Sequence, residues 1–109
     1  MTRRQWDMYR RVEWLVPADR AILGLLAADR RLTLQPGNIA QSVGYTRQHV
    51  GRRCRILYDK TLLDREDDGY YRITDFGVEV LDEQMPPEEL EERVEERQRD
   101  LGRGPYGDE

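Results

Sequence analysis

Arg47, Arg52, Arg53 and Arg55 fall within nine residues, in the segment TRQHVGRRCR that also holds Thr46, Gln48, His49 and Gly51. Guanidinium groups at that density suit the binding of nucleic acid. They neutralise phosphates, and their planar forks bond guanine edges bidentately, as a glutamine such as Gln48 bonds adenine. Thr46 and Gln48 are candidate base readers, and the arginines are candidate base and phosphate contacts. Arg53 lies nearest the flank of the segment's apolar stripe. His49, the only histidine, reads equally as a phosphate contact or as a plain surface residue. Other chemistries lack their parts. There is no convincing Ser-His-Asp set, and no glycine-rich phosphate loop follows a strand. The carboxylates crowd into segments where water keeps them ordinary, and one histidine with one cysteine leaves almost no metal-ligand stock. An enzyme, a cofactor, a metal and a small-molecule ligand are therefore not expected.

The elements that must position this cluster are legible from periodicity and caps. Pro17 suits the first position of a helix with Asp19 in its first turn, where a carboxylate complements the dipole. Ile22, Leu25 and Leu26 give it one apolar stripe, and it should run to about Asp29. The preceding segment, 3–14, fits a short helix or an extended arm. Leu32-Thr33-Leu34 is long enough only for a brief strand or a connector. Pro36-Gly37-Asn38 opens a second helix with Ile39, Ala40 and Val43 inward, and Gly44 stops it. Thr46 then caps a longer helix from Arg47 to about Lys60. Val50, Cys54 and Leu57 form its inward stripe, with Cys54 a small core hydrophobe, and Arg47, Gln48, Gly51, Arg52 and Arg55 lie on the other side.

Leu62-Leu63 begins a strand, Asp67-Asp68-Gly69 signals a turn, and Tyr70 to Ile73 is a second strand with one tyrosine inward and one exposed. Thr74 caps a further helix with Val78 and Leu81 inward. Pro86-Pro87 breaks the chain. Glu88 to Leu101 follows as a charged helical pattern whose only apolar residues are Leu90, Val94 and Leu101. It reads as a solvated helix or as a thin seam between two copies. The division expected is an N-terminal arm or helix at 1–16, a domain at 17–84 and an acidic helical tail at 85–109 with a disordered end.

The chain has 109 residues, 38% of them hydrophobic and 37% charged, with a mean hydropathy of -0.90. That supports one small core. Ala21 to Ala28, the longest uncharged apolar run, is far too short to span a bilayer, and no secretory signal is visible. A lone cysteine excludes an intrachain disulfide. The expected location is the cytoplasm, with no membrane contact. Net charge is -4, with 17 arginines and a single lysine, Lys60, against 22 acidic residues. An acidic, lysine-poor surface fits a cytoplasm with concentrated salt, although a codon bias toward arginine would give the same ratio. The total hides an asymmetry. Residues 44–60 carry five basic groups against Asp59, while residues 82–109 are net -7. The distribution argues for nucleic acid where the total argues against it.

Helix, short helix, tight turn, basic helix, hairpin and helix make up the plan of a winged helix-turn-helix, a mainly α fold with a small β-hairpin wing. The pieces PADRAILGLLA, NIAQSVGYTRQHVGRRCRIL and LLDREDDGYYRITDFGVEVL carry a resemblance. Residues 17–81 resemble the archaeal winged-helix regulators, most of all the phage phi-H repressor-like proteins of haloarchaea, and more broadly the MarR-type regulators. The resemblance implies a repressor or regulator that binds specific duplex DNA, usually as a homodimer. The segment around Trp6, Tyr9 and Trp14, with the Val78/Leu81 helix or the tail, is the expected seam. Two features depart from the pattern. Thr61 stands where glycine is usual, so the turn there is expected to be made differently. The wing tip, Glu66-Asp67-Asp68, is acidic, although Arg65 and Arg72 flank it within reach of phosphates. The rival reading is a winged-helix module that docks on a larger protein complex.

Overall fold

Pro17 has no N–H to leave unpaired, and Asp19 two positions on completes the helix start. Its Oδ2 accepts from Val16 N at 3.1 Å, while Asp19 N donates to Val16 O at 2.9 Å. In the computed structural model, which describes residues 12–67, 69–82 and 85–103, this opens α1 (Pro17–Ala27). Then come α2 (Pro36–Val43), α3 (Arg47–Asp59), β1 (Leu63–Glu66), β2 (Tyr70–Ile73), α4 (Asp75–Leu81) and α5 (Pro87–Leu101). Trp6, Tyr9, Asp68 and the run from Gly104 onward lie outside the described residues.

The winged helix-turn-helix plan is present. Gly44 closes α2 at φ 81, a left-handed conformation that glycine adopts without strain. Thr46 caps α3, its Oγ1 accepting from His49 N at 3.1 Å. Ile22, Leu23, Leu26, Ile39, Val50, Cys54 and Leu57 are fully buried where α1, α2 and α3 meet. The strands pair antiparallel, from Leu63 opposite Ile73 to Glu66 opposite Tyr70. Leu34 adds a single bridge, exchanging backbone hydrogen bonds of 3.0 and 2.9 Å with Tyr71. The root of the wing is thereby tied to the chain that enters α2. Tyr71 packs inward and Tyr70 stays exposed.

Two expectations need correcting. The turn after α3 is made as a glycine would make it: Thr61 takes φ 72 and is fully buried. Its Oγ1 accepts from Arg97 Nε at 2.8 Å, and Thr74 Oγ1 lies 2.9 Å from Thr61 O and 3.0 Å from Leu62 O, with one proton to share between them. Helix α5 is also more than a solvated tail or a seam. Leu90 and Val94 are buried in the chain's own core with Met85, and Gln98 donates to Asp59 O at 2.8 Å. The guanidiniums of Arg93 and Arg97 each lie 4.9 Å from the centre of the Phe76 ring. Of the apolar trio only Leu101 remains exposed.

Two glycines on the core helices should respond oppositely to alanine. A methyl at Gly77 would sit 2.3 Å from Leu62 O and 2.7 Å from Ile73 Cγ1. Gly77→Ala should therefore cost about 1–3 kcal/mol through overpacking. At Gly24, in the middle of α1, an added Cβ meets nothing within 4 Å. Gly24→Ala should raise stability by about 0.5–1 kcal/mol. Denaturant unfolding in molar potassium chloride reads both signs.

Candidate nucleic-acid interface

The apolar stripe fixes which way α3 faces. With Val50, Cys54 and Leu57 buried, the 100° step per residue puts Gln48, Arg52 and Arg55 on the opposite side, and all three are exposed. Arg47 is exposed on the flank toward α2, and Gly51 is half-buried beside it. A groove runs along this flank. The start of α2 (Gln35, Pro36, Gly37) forms one wall, the turn glycine Gly69 of the wing another, and Thr46, Arg47, Gln48, Gly51 and Arg55 the floor. A Cβ added at Gly51 would lie 3.9 Å from Pro36 Cβ, an ordinary contact. The fold itself therefore does not require glycine there.

Bonding separates the arginines into two sets. Among the described residues no hydrogen bond or ion pair engages the side chains of Arg47, Gln48, Arg52 or Arg55. Arg53 is the reverse. Its Nε and Nη2 each reach a carboxylate oxygen of Asp19 at 2.9 Å, and Nη2 also donates to Trp14 O at 2.5 Å. Asp19 has no exposure, and the Arg53 side chain keeps 11%. Arg53 therefore leaves the set of expected DNA contacts, because its fork is occupied inside the protein. Burial pushes the Asp19 carboxyl up, against the pull of the Arg53 fork and the Val16 N–H.

Other expected site residues are placed as follows. His49 is half-buried, with its ring 5.5 Å from that of Tyr45, an exposed turn residue that drew no attention in the sequence. Arg65 is exposed, its guanidinium 5.6 Å from the Tyr58 ring of α3. Arg72 is half-exposed and paired with Glu66 at 2.9 Å. Strand alternation sets Arg65 on the face of its partner Tyr71 and Arg72 on the face of Asp64. Arg72 lines a different concavity, with Arg30, Asp64, Asp75 and Arg97. The structure brings Thr46, Arg47, Gln48, Gly51 and Arg55 to one groove, sets Arg52 beside it, and leaves Arg72 apart.

A signal for Arg53 was present in the sequence. It stands three residues after Val50 and four before Leu57, on the apolar stripe itself. A charge there needs a buried partner, and Asp19 on the first helix is the carboxylate that supplies it. Among the described residues no cluster of three or more histidine, cysteine, aspartate or glutamate side chains could hold a metal ion, and no helix is long and apolar enough to cross a membrane.

Comparison with known proteins fits this geometry. A family model described as winged helix-turn-helix phage repressor matches residues 8–93. The repressor protein of Halobacterium phage phiH is 42% identical over 87 residues, covering 77% of this chain and 98% of that protein.

Breaking the buried pair from one side should be severe. Arg53→Met leaves the Asp19 carboxylate unpaired and should cost about 3–5 kcal/mol in denaturant unfolding. Beside it, burial pushes the Cys54 thiol up to about 12. In the folded protein at pH 8, a thiol-specific chromogenic reagent should leave Cys54 unmodified, and reaction should appear with the unfolding transition.

Proposed function

The chain belongs to the winged helix-turn-helix phage repressors, and from that premise we propose that it represses transcription by binding a specific double-stranded DNA sequence. The carrying observation is the set of unengaged side chains on the outward side of α3. Arg47, Gln48, Arg52 and Arg55 have no internal partner among the described residues, in a chain where Arg53, Arg72, Arg97 and Arg103 all have one. A helix with such a face, beside a groove walled by the start of α2 and the wing turn, suits a major groove.

Arg52, Gln48 and Arg47 read base edges in this proposal, and Arg55 and Arg65 neutralise phosphates. Thr46 keeps a hydroxyl proton to donate while its oxygen caps the helix. Gly51 lets the DNA approach closely. Arg72, already paired with Glu66, contributes little. Salt supports weighting the bases. With about six phosphate contacts, a tenfold rise in salt removes roughly five decades of affinity by counterion release. A halophilic cytoplasm, the setting we propose for this acidic, lysine-poor chain, weakens that term and leaves the hydrogen bonds to bases. Its screening length of about 3 Å at 1 M also makes the acidic wing tolerable. Docking on a protein complex, the other reading, finds no support in a repressor family. The proposal includes no catalysis and no effector.

One recognition helix covers too few base pairs for specificity, so the active form is a two-fold homodimer on an inverted repeat, with half-sites about one helical turn apart. Leu90 and Val94 are spent inside the chain and cannot supply its seam. Light scattering in molar salt should give twice the 13.0 kDa chain mass; monomer alone at micromolar concentration would contradict the dimer.

The base-reading roles are tested on duplexes selected from random DNA. Arg52→Ala should flatten the preference among operator variants, by about 1–3 kcal/mol at the affected position. Arg55→Ala should weaken all sequences alike and reduce the salt slope by about one. Gly51→Ala should stabilise the fold by about 0.5–1 kcal/mol and still weaken binding. Equal loss on operator and random DNA for Arg52→Ala would reject its assignment to a base.

A further inference from the structure

Among the described residues Arg47, Gln48, Arg52 and Arg55 of the proposed interface have no internal partner, so their aim depends on how α3 is held from behind. Most of that hold is apolar. Val50, Cys54 and Leu57 have no exposure and pack among residues of the same kind. Such contacts hold the helix by close packing but carry no directional bond that fixes one roll angle. Arg53 is different. Its planar fork meets the Asp19 carboxylate through two bonds of 2.9 Å, and Nη2 also meets Trp14 O at 2.5 Å. Asp19 is itself fixed by Val16 N. Trp14 is held from two further sides, with Nζ of Lys60, the C-cap of α3, 5.1 Å from its ring centre and Glu91 of α5 accepting from its Nε1 at 3.4 Å.

We propose that the Asp19–Arg53 fork is the positioning device of the recognition helix: it fixes the roll and height of α3 on α1 and so sets which base edges Gln48 and Arg52 can reach. The inference rests on the DNA-binding reading above. Its physical basis is the contrast between directional and non-directional contacts. A bidentate guanidinium–carboxylate pair loses both bonds if either plane turns, whereas an apolar stripe repacks. Buried pairs of this kind are often replaceable by apolar residues without loss of stability, which makes geometry separable from folding. Arg53 touches no DNA in this account; it acts through Gln48 and Arg52.

The test compares wild type, Asp19→Leu/Arg53→Met and Arg53→Lys, each as the full chain in molar potassium chloride. Each is titrated with one duplex selected from random DNA by the wild type and with a scrambled duplex of the same length. In the double variant an apolar pair replaces the ionic one. In Arg53→Lys the charge stays and the fork is lost. Both variants should bind scrambled DNA as the wild type does. Their ratio of selected to scrambled affinity should fall about tenfold or more, the loss of one bidentate base contact. A merely structural role would move unfolding and leave that ratio intact. A wild-type ratio in either folded variant overturns the proposal, and Arg53→Lys alone decides if the double variant does not fold. If the wild type selects no sequence at all, the functional reading falls first and takes this inference with it.

Discussion

Where the chain leaves α3, one backbone conformation fixes the course of every later element. Thr61 sits at φ 72, a region that costs a β-branched residue about 1–3 kcal/mol and survives only where surroundings over-determine it. Here they do. Thr61 N donates to Tyr58 O and Leu62 N to Leu57 O, so both bond back to α3. Thr74, the cap of α4, reaches the carbonyls of the turn, and Arg97 of α5 bonds the Thr61 hydroxyl. The missing side chain of Gly77 is what lets α4 approach the Leu62 carbonyl. Three helices thus converge on two residues.

That convergence explains the Tyr-Arg-Ile-Thr-Asp-Phe-Gly run in physical terms. Tyr71 and Ile73 bury on alternate positions of β2, Thr74 both caps α4 and holds the preceding turn, and Gly77 clears the close crossing. The wing is then anchored twice: at its root by this turn, and along β2 by the Leu34 bridge to Tyr71. The groove beside α3 is walled by the start of α2 and by the wing turn, and the Leu34 bridge ties the wing to the chain that enters α2.

Local devices were legible from sequence. Thr46 and Thr74 cap where expected, Gly44 stops α2, and β2 spans Tyr70–Ile73 as read. Each is written within four or five residues of its effect. What escaped was set by partners distant along the chain. Asp19 and Arg53 are 34 residues apart, and the place of Arg53 by the apolar stripe does not name the carboxylate that meets it. Leu90 and Val94 advertise a stripe, but spacing cannot tell whether the stripe meets its own chain or a second copy. Thr61 follows the same logic, since the residue type argued against the left-handed turn and bonds from Arg97 and Thr74 overrode it. The opposite orientation of Arg65 and Arg72 follows from two-residue alternation along paired strands. The partition between engaged and unengaged arginines on α3 is set by the carboxylate of α1, which lies far along the chain.

The guanidinium of Arg103 gives the lopsided arginine content a meaning beyond codon usage. It donates to Tyr58 O at 2.9 Å, to Leu63 O at 3.0 Å and to Asp64 at 2.6 Å, with the Tyr58 ring 4.0 Å away. A flat, weakly hydrated cation with several fixed donors can serve carbonyls, a carboxylate and an aromatic face together; a compact ammonium cannot. Arg53 and Arg97 are used in the same manner. These are contacts of touching atoms, which concentrated electrolyte leaves largely in place, unlike attraction across a layer of water. In such a chain arginine serves as a connector of fixed shape, and lysine, though equal in charge, would leave those junctions open.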